Sequence, residues 1–496
     1  MTDFGRGMAK ITVRSGTQTR TLQGAQGETL LRLLTRHGVF LPARCGGRGT
    51  CKKCRVKLLS GSVEGASPDE EGCILACRAR IAGDCTIEAE SERGTGLEDF
   101  CFARRAQGRG EGLGAALDLG TTTLALLLAD RSSGKVLAKE SCLNPEAAFG
   151  SDVLSRIKAC EDKKAVFEQQ ALVLVKTREL IERALAGRNE TLTRLVVTGN
   201  PTMLHLFAGV DPTPIGSAPF TPVFLQERVF AGSELALPAN EVLLLPSVSS
   251  YIGADVTADI LAADLCSSKE NVLLADLGTN GEMVLFSDGN LYAASTAAGP
   301  ALEGACIECG TGGVEGAISR VRRTEQGFAL ETIGGAPPKG IAGSGLVDAV
   351  ACLLRSGELD ETGRLAKERV FFSPDVYLTQ GDIRAFQLAK GAIRAGMRAL
   401  LRHAGLREEE LSRLLIAGGL GYHIDRASAA TTGLIPPAWE TRTHAVGNGS
   451  LYGGYLALLD EGCRAECGKI AARCKTLDLA ADPAFSDDFM DGMLFE

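Results

Sequence analysis

The chain has 496 residues, of which 45% are hydrophobic and 23% charged, and its formal net charge is -8. This length and apolar content allow more than one buried core, so we expect two or three domains. The acidic balance disfavours nucleic acid as a partner. No apolar stretch is long enough to span a bilayer and the N-terminus shows no leader pattern, so we expect a cytoplasmic protein without a membrane partner. The 16 cysteines then predict reduced thiols and cluster ligands and not a disulfide framework.

The first predicted module covers residues 1–92. Alternating apolar and polar side chains predict short strands, in chain order, at 10–14, 19–22, 56–59 and 86–89. A helix is predicted over 28–38, where apolar residues recur at helical spacing and Gly38 ends the pattern. Together these elements predict a small α+β domain of the β-grasp type.

Three cysteines follow this helix on a glycine-rich loop, at Cys45, Cys51 and Cys54, and a fourth thiol is available later from Cys73 or Cys77. Four thiolates and loop amides that hydrogen-bond sulfur are typical of a 2Fe-2S cluster. The alternative is a structural zinc site made of two cysteine pairs. Zinc does not require an amide-lined loop, so the sequence favours the cluster and an electron-transfer role.

The spacing Cys-x5-Cys-x2-Cys resembles that of ferredoxins of the adrenodoxin type. In those ferredoxins the last ligand lies in a turn similar to residues 75–78 of this chain. The resemblance therefore implies that the cluster ligands are Cys45, Cys51, Cys54 and Cys77, and that Cys73 is spare. Such a cluster requires an external low-potential electron donor.

Residues 93–112 are rich in glycine and charged residues and have no sustained apolar period. This composition predicts a flexible linker. Phe100 and Phe102 are apolar residues that can pin its middle.

Beyond the linker the chain repeats one signature, at Asp118 and at Asp276. Each aspartate ends an apolar strand and precedes a glycine turn with hydroxyl or amide side chains. The turn residues are Gly120, Thr121 and Thr122 in the first copy and Gly278, Thr279 and Asn280 in the second. Two such hairpins facing each other present backbone N–H groups to phosphates, while the aspartates hold hydrated Mg2+. A pair of ordinary hairpins is the alternative, but the duplication favours an ATP site.

Two further segments are candidates for the same cleft. Gly343, Ser344 and Gly345 form a glycine-rich loop that opens a helix, an arrangement suited to phosphate because the first-turn amides have no helical partner. The helix predicted over 381–403 carries Lys390 on a polar stripe that can clamp adenine or ribose. A solvated charged face is an equally open interpretation of that stripe.

The duplicated signature resembles the phosphate motifs of the superfamily that contains actin, sugar and acetate kinases and actin-like chaperone ATPases. The resemblance implies an α/β ATPase of two ribonuclease-H-like subdomains, at 113–268 and 269–496, the second including a C-terminal return. The segment 414–421 resembles the adenosine-binding turn of that superfamily. Its glycines Gly418 and Gly419 would let the backbone approach the nucleoside closely.

The motifs of the whole chain resemble one family, the reductive activators of corrinoid enzymes. The resemblance rests on the segments 118–123, 199–205, 276–282, 298–305 and 446–449 behind a 2Fe-2S domain. It implies ATP-driven electron transfer from the cluster to the Co(II) corrinoid of a methyltransferase-system protein, which restores Co(I), with Asp118 and Asp276 as the residues for ATP hydrolysis. Longer family members carry a further domain where this chain has its linker, so a homodimer stays an open alternative.

Three other functions fit parts of the sequence. A small-molecule kinase fused to a ferredoxin would need a general base for a hydroxyl substrate. An activator of a radical dehydratase would hold a 4Fe-4S cluster between two subunits, which a separate 2Fe-2S domain does not require. A non-enzymatic ferredoxin scaffold would leave both phosphate hairpins unexplained.

Overall fold

The computed structural model describes residues 8–15, 18–37, 39, 41, 47, 49, 52, 54–89, 102, 104–150, 152–188, 190–325 and 327–495. In these ranges the chain forms one small N-terminal sheet and two larger sheets that carry helices. The predicted cluster ligands Cys45 and Cys51 lie outside the described residues.

The N-terminal module is a mixed sheet packed against one helix. Its elements are β1 (Met8–Ser15), β2 (Gln18–Ala25), α1 (Leu30–Arg36), β3 (Arg55–Glu64), β4 (Cys73–Leu75) and β5 (Arg80–Glu88). The strands lie in the order β2-β1-β5-β3-β4, and β1 pairs parallel with β5. Alternate strand residues such as Ile11 and Ile87 point to α1, where Leu30 and Leu33 complete a buried core. This arrangement confirms the predicted β-grasp domain.

The first large sheet forms subdomain I. Its elements are β6 (Leu113–Leu119), β7 (Thr123–Asp130), β8 (Val136–Leu143), α2 (Val153–Ala159), α3 (Lys163–Leu185), β9 (Leu192–Gly199), α4 (Pro201–Phe207), β10 (Arg228–Ala231), β11 (Ala239–Leu244) and α5 (Ala254–Ala262). The strand order is β10-β11-β9-β6-β7-β8. Residues of β6 and β7 are buried almost throughout because helices cover both faces of the sheet.

The second large sheet forms most of subdomain II. Its strands are β12 (Val272–Leu277), β13 (Gly281–Ser287), β14 (Asn290–Thr296), β20 (Arg413–Ala417), β21 (Thr443–Gly447) and β22 (Lys475–Thr476). Smaller strands form two side sheets: β15 (Ala317–Thr324), β16 (Gly327–Thr332), β17 (Gly340–Ile341), β18 (Arg369–Ser373) and β19 (Val376–Thr379). The helices are α6 (Gly343–Arg355), α7 (Gln380–His403), α8 (Gly418–His423), α9 (Arg426–Thr431), α10 (Gly449–Leu459), α11 (Glu461–Arg473) and α12 (Phe485–Met493).

The two large sheets share one topology. Each starts with an antiparallel meander, β6-β7-β8 or β12-β13-β14, and adds two parallel strands beside the first strand of that meander. The aspartates Asp118 and Asp276 occupy corresponding positions near the ends of β6 and β12. The predicted pair of ribonuclease-H-like subdomains of an actin-like ATPase is therefore confirmed.

The C-terminal part of the chain returns to subdomain I. Helix α10 packs on α5, β6 and β9, and α11 continues along α5. Residues such as Leu451 and Leu458 thereby join the buried core of subdomain I. Helix α12 instead packs along α7 of subdomain II.

The segment predicted to be a flexible linker is attached to the ATPase part over its described residues, 102 and 104–112. The ring of Phe102 stacks on Tyr452 with centroids 5.3 Å apart, and the Tyr452 hydroxyl donates to the Arg104 carbonyl over 2.7 Å. The Arg104 guanidinium also forms an ion pair of 2.9 Å with Glu466. Aromatic stacking and ion pairs thus place this part on α10 and α11, and its flexibility stays a prediction. Residues 93–101 and 103 lie outside the described residues.

Candidate functional site

The structure brings together the two predicted cluster ligands that it describes. Cys54 directly precedes β3 and Cys77 follows β4, and the Ala76 N–H donates to the Cys54 carbonyl over 2.8 Å. Both thiols are buried, with exposed fractions of 1% and 7%. Pairing of β3 with β4 therefore places a ligand of the loop next to the proposed fourth ligand.

The glycine loop lies against the same turn. Gly47 has φ +78°, and a Cβ atom added to it would lie 3.9 Å from the Cβ of Cys77. Gly49 has φ +76°, and its added Cβ would lie 2.3 Å from Nε of Arg78. Left-handed backbone and this close approach require glycine. The donor chemistry and the tight glycine loop fit a 2Fe-2S cluster held by thiolates.

Cys73 faces a different environment. Its N–H donates to Oδ1 of Asp69 over 2.8 Å, and it pairs with Lys57 across the β3–β4 ladder. Its Sγ and one carboxylate oxygen from each of Asp69 and Glu71 lie within 4.8 Å of one another. Arg55 forms ion pairs with both of these carboxylates. Cys73 thus belongs to a charged turn at the outer edge of the sheet.

In the ATPase part, the two predicted phosphate turns meet at Glu303. The hydroxyls of Thr122 and Thr279 each donate to Oε2 of Glu303 over 2.9 Å, and the Thr279 N–H donates to Oε1 over 2.7 Å. A Cβ added to Gly278 would lie 2.9 Å from Oε1 of Glu303. The structure therefore brings the turns of both subdomains to one carboxylate. Sequence reasoning assigned no role to Glu303, although it lies in a quoted motif, 298–305.

Asp118 is held by the start of helix α10. Asn448 donates to Oδ2 over 2.8 Å and Ser450 donates to Oδ1 over 2.7 Å. Asn448 also caps α10, since its side chain accepts the Leu451 N–H. Burial raises the pKa of Asp118, and the two side-chain hydrogen bonds oppose that rise. The chain end that returns to subdomain I thus positions the first predicted catalytic carboxylate.

Asp276 lies beside the predicted adenosine turn. Gly418 has φ +80°, and a Cβ added to it would lie 2.4 Å from Oδ1 of Asp276. Burial, followed by the charges of neighbouring carboxylates, raises the pKa of Asp276 to about 7. The structure therefore brings Gly418 together with Asp276, with no room for a side chain between them.

Three further carboxylates surround this site, and sequence reasoning gave none of them a role. Burial raises the pKa of Asp255 to about 7 and raises the pKa of Asp259 and of Glu282 well above the usual range. Asp259 is fully buried, and neither of its carboxylate oxygens has a hydrogen-bond partner among the described residues. Buried carboxylates need protons or a cation to balance them. The donor set fits Mg2+, a hard cation with oxygen ligands.

Polar side chains of subdomain I fix the carbonyl side of the first phosphate turn. Asn144 donates to the Gly120 carbonyl over 2.8 Å, and Arg156 donates to the Thr121 carbonyl over 2.5 Å. Asn200 donates to the Thr121 hydroxyl over 3.0 Å and caps α4 through the Met203 N–H. Because these donors bind the carbonyls on one side of the 120–122 turn, the N–H groups of the turn can point to the cleft.

The predicted glycine loop at the start of α6 is buried by packing. A Cβ added to Gly343 would lie 1.7 Å from the Leu302 carbonyl oxygen, and one added to Gly345 would lie 2.2 Å from the Ile318 carbonyl oxygen. The Ser344 hydroxyl donates to the Ser319 carbonyl over 3.0 Å. This loop therefore serves close contact of α6 with β15, and the expected phosphate contact stays a prediction.

Lys390 also lies elsewhere than expected. Its side chain is 2% exposed, and Nζ donates to the Leu494 carbonyl over 2.5 Å and lies 5.2 Å from the centroid of the Phe495 ring. Gln387, one turn earlier, donates to the Met493 carbonyl over 2.8 Å. The stripe on α7 binds the C-terminal segment, and its role as a nucleotide clamp stays a prediction.

A cavity of about 490 Å³ lies next to the end of α8. It is lined by residues of β15, α6 and α9, among them Arg320, Arg355, Asp348, Asp425 and Ser428. Arg320 lies 3.3 Å from Asp425 and 3.8 Å from Asp348, whose Oδ1 has no hydrogen-bond partner among the described residues. No sequence motif marks these residues, because they come from three distant segments.

Three protein-family models match successive parts of the chain. Residues 13–82 match the 2Fe-2S iron-sulfur cluster binding domain, residues 113–268 match the RACo middle region, and residues 270–496 match the C-terminal domain of RACo, the ASKHA domain. These matches support an iron-sulfur cluster in the first module and nucleotide binding in the ATPase part. Among the described residues no helix has the length and apolar character needed to cross a membrane.

Individual relatives have the same organisation. The corrinoid activation enzyme RamQ of Eubacterium limosum is 33% identical over 77% of this chain and 70% of its own length. The [Co(II) methylated amine-specific corrinoid protein] reductase of Methanosarcina barkeri is 27% identical over 68% of each chain. A solved structure, the reductive activator for corrinoid,iron-sulfur protein, covers 98% of both chains with a TM-score of 0.72 and 28% identity.

Proposed function

Because this chain belongs to the RACo family of corrinoid activators, we propose that it is an ATP-dependent corrinoid reductase. It takes an electron from an external low-potential donor and passes it to the Co(II) corrinoid of a methyltransferase-system protein, which becomes Co(I). Family membership favours this function over a ferredoxin-fused kinase or an activator of a radical dehydratase.

The observation that carries the proposal is that both phosphate turns contact Glu303. The same chain places the buried Cys54 next to the turn that contains Cys77. Thr122 belongs to subdomain I and Thr279 to subdomain II, so Glu303 joins the subdomains across the cleft. A nucleotide whose phosphates bind these turns competes for the same hydroxyls and N–H groups. Nucleotide binding is thereby linked to the relative position of the subdomains.

Asp118 and Asp276 take different parts in the proposed cleft. Asp118 has both carboxylate oxygens fixed by donors from α10 and so has a defined orientation toward the metal shell. Asp276 lies under Gly418, where the backbone approaches without an intervening side chain. When bound, Mg2+ supplies charge stabilisation at the phosphates. The cavity lined by Arg320, Asp348 and Ser428 is of nucleotide size and is our candidate for the base and ribose.

Energetics explain the need for ATP. Plant-type 2Fe-2S ferredoxins have potentials near about -400 mV. Each 59 mV of uphill one-electron transfer costs about 1.4 kcal/mol. A gap of roughly one to two hundred millivolts therefore costs about 2 to 5 kcal/mol, an amount that nucleotide-driven rearrangement of a protein complex can supply.

The test is direct reduction of a corrinoid protein. The protein with its cluster is mixed with a candidate Co(II) corrinoid protein, MgATP and a low-potential reductant, and the absorbance of Co(I) is followed. We expect Co(I) to form only with ATP. Asp118→Asn and Asp276→Asn should each slow Co(I) formation by about 10²-fold or more, because charge at the metal shell is lost.

The matched control is Asp288→Asn, at an exposed turn between β13 and β14. It should leave the rate unchanged, and thermal unfolding should show that all three variants are folded. Equal Co(I) formation without ATP, or full activity of both site variants, would contradict the proposed function.

A further inference from the structure

The ferredoxin module rests on subdomain I through helix α1. Helix α1 packs against the 3-10 turn Pro145–Ala148 that follows β8. Arg32 of α1 forms an ion pair with Glu168 of α3, and its guanidinium lies 5.8 Å from the centroid of the Phe149 ring. The chain's own ferredoxin module therefore occupies this surface of the ATPase part.

The first turn of α1 contacts the cysteine turn. The Leu31 N–H donates to the Ala76 carbonyl over 2.9 Å, directly before Cys77. A Cβ added to Gly47 would lie 3.7 Å from Cδ2 of Leu31. A movement of α1 relative to subdomain I therefore carries the cysteine loop with it.

The inner side of the 145–148 turn is joined to the first phosphate turn. The Asn144 N–H donates to the Thr122 carbonyl over 2.8 Å, and the Asn144 side chain donates to the Gly120 carbonyl over 2.8 Å. Arg156, which donates to the Thr121 carbonyl, also pairs with Glu146 over 3.4 Å, and both side chains are fully buried. This buried layer of Asn144, Glu146 and Arg156 connects the nucleotide side of subdomain I to its ferredoxin side.

We propose that the contact of α1 with Phe149 and Glu168 is a latch that nucleotide binding opens, so that the ferredoxin module is released from subdomain I when ATP occupies the cleft. The inference rests on the proposed nucleotide site. Displacement of the 120–122 turn is transmitted through Asn144 and Arg156 to the surface beneath α1. Release lets the cysteine loop, which α1 carries, turn to a corrinoid partner.

Linkage fixes the sign of the effect. If ATP weakens docking of α1, then docking weakens ATP binding by the same factor, so a variant that weakens docking should bind ATP more tightly. The Arg32 and Glu168 side chains are 55% and 45% exposed, so their pair is a weak one. We therefore expect a change in ATP affinity of roughly two- to fivefold when the pair is broken.

The test uses the full chain with its cluster and two measurements. Deuterium uptake of peptides covering α1 and the 145–148 turn is compared with and without MgATP, and ATP affinity is measured by equilibrium dialysis. We expect MgATP to raise uptake at both segments in the wild type. Arg32→Glu should raise uptake without ATP and tighten ATP binding two- to fivefold.

Two controls separate the latch from a general charge effect. Arg20→Glu reverses an exposed charge on β2 of the same module, and it should behave as the wild type. The double variant Arg32→Glu with Glu168→Arg restores an ion pair of reversed polarity and should return ATP affinity toward the wild-type value.

The outcomes separate this inference from the proposed function. If the wild type binds ATP and Arg32→Glu binds it equally or more weakly, the latch is overturned and the nucleotide site is retained. Unchanged uptake at α1 on addition of MgATP would also overturn the latch. Failure of the wild type to bind ATP at all would overturn both.

Discussion

At the scale of single residues, the same residue type has different chemistry according to what surrounds it. Cys54 and Cys77 are both buried beside the glycine loop, whereas Cys73 shares a charged turn with Asp69 and Arg55. Asp118 is hydrogen-bonded through both oxygens, whereas Asp259 is buried without a partner among the described residues. Burial and hydrogen-bond donors, more than sequence position, therefore set the environment of each group.

Substitution of the cysteines tests the proposed ligand set. Cys77→Ser should lose the visible absorbance and the EPR signal of a 2Fe-2S cluster, because a thiolate ligand is removed. Cys73→Ser should keep both signals, since its side chain lies with Asp69 and Glu71. Metal analysis of the same samples should give iron. Loss of the cluster in Cys73→Ser, or zinc in place of iron, would contradict the assignment.

His205 makes stability depend on pH. It is fully buried on α4; its Nδ1–H donates to the Pro201 carbonyl over 2.6 Å, and Nε2 accepts the Val223 N–H over 3.1 Å. Burial lowers the pKa of His205 to about 4, below the ordinary value of 6.5. Because the unfolded state then binds the proton first, stability is complete above the ordinary pKa and is lost as the pH falls toward about 4.

We expect this histidine to cost the wild type about 2 kcal/mol of unfolding free energy between pH 7 and pH 5. The measurement is denaturant unfolding at both pH values. His205→Gln should be less stable at pH 7 but should lose about 2 kcal/mol less over this interval. His403→Gln, at an exposed position, is the control and should keep the wild-type pH dependence. An identical pH dependence in His205→Gln would rule out this role.

At the scale of elements, short turns between strand and helix decide where the cleft lies. The turn from β20 into α8 places Gly418 against Asp276, and the turn from β21 into α10 places Asn448 and Ser450 on Asp118. Both turns belong to the sheet of subdomain II, where they follow the neighbouring parallel strands β20 and β21. The first turn thus brings a helix start to the proposed catalytic aspartate of its own subdomain, and the second brings one to the proposed catalytic aspartate of subdomain I.

A matched pair of glycine substitutions isolates the contact at Gly418. Gly418→Ala combines a left-handed φ of +80° with a Cβ that would lie 2.4 Å from Asp276. Gly405→Ala has a similar φ of +69° but no heavy atom within 4 Å of the added Cβ. Both should lose about 1 to 2 kcal/mol of stability from backbone strain. Only Gly418→Ala should weaken ATP binding, by about tenfold or more, as measured by equilibrium dialysis. Equal ATP affinity in the two variants would show that Gly418 is not at the nucleotide site.

At the scale of the whole molecule, the described residues show one contact of the ferredoxin module with the ATPase part and one contact of the segment that follows the module. The first is the surface contact of α1 with subdomain I. The second is the anchor of Phe102 and Arg104 on α10 and α11. The anchor is close to the cleft, since a Cβ added to Gly449 would lie 2.9 Å from Phe102 and 2.0 Å from Asp259. The contact of α1 and the anchor of Phe102 therefore both lie near residues of the proposed nucleotide site.

Cutting the chain at two positions tests this division. Separate fragments 1–92 and 93–496 should each fold, because little apolar surface joins the modules. Fragment 113–496 lacks the anchor, and we expect it to be about 1 to 2 kcal/mol less stable than 93–496 because the partial burial of Phe102 is lost. Denaturant unfolding of the two ATPase fragments measures the difference.

Corrinoid reduction by the mixed fragments 1–92 and 93–496 should be slower than by the intact chain, because the effective concentration that the covalent connection provides is lost. The rate should recover as fragment 1–92 is raised toward millimolar concentrations. Undiminished reduction by fragment 93–496 alone with an external reductant would show that the ferredoxin module is not the obligatory electron route.

The sequence alone determined the features that depend on local spacing. The cysteine positions around Cys54 and the duplicated turns after Asp118 and Asp276 are local patterns, and they were sufficient for the fold and the family. Only the tertiary structure decided which side chains meet, because contact between distant segments has no signature in spacing. Glu303 joins two turns from different subdomains, and Asp259 is buried beneath the start of α10. Lys390 has the spacing of a ligand-binding stripe, but the C-terminal segment packs onto it and the Leu494 carbonyl accepts a hydrogen bond from its Nζ.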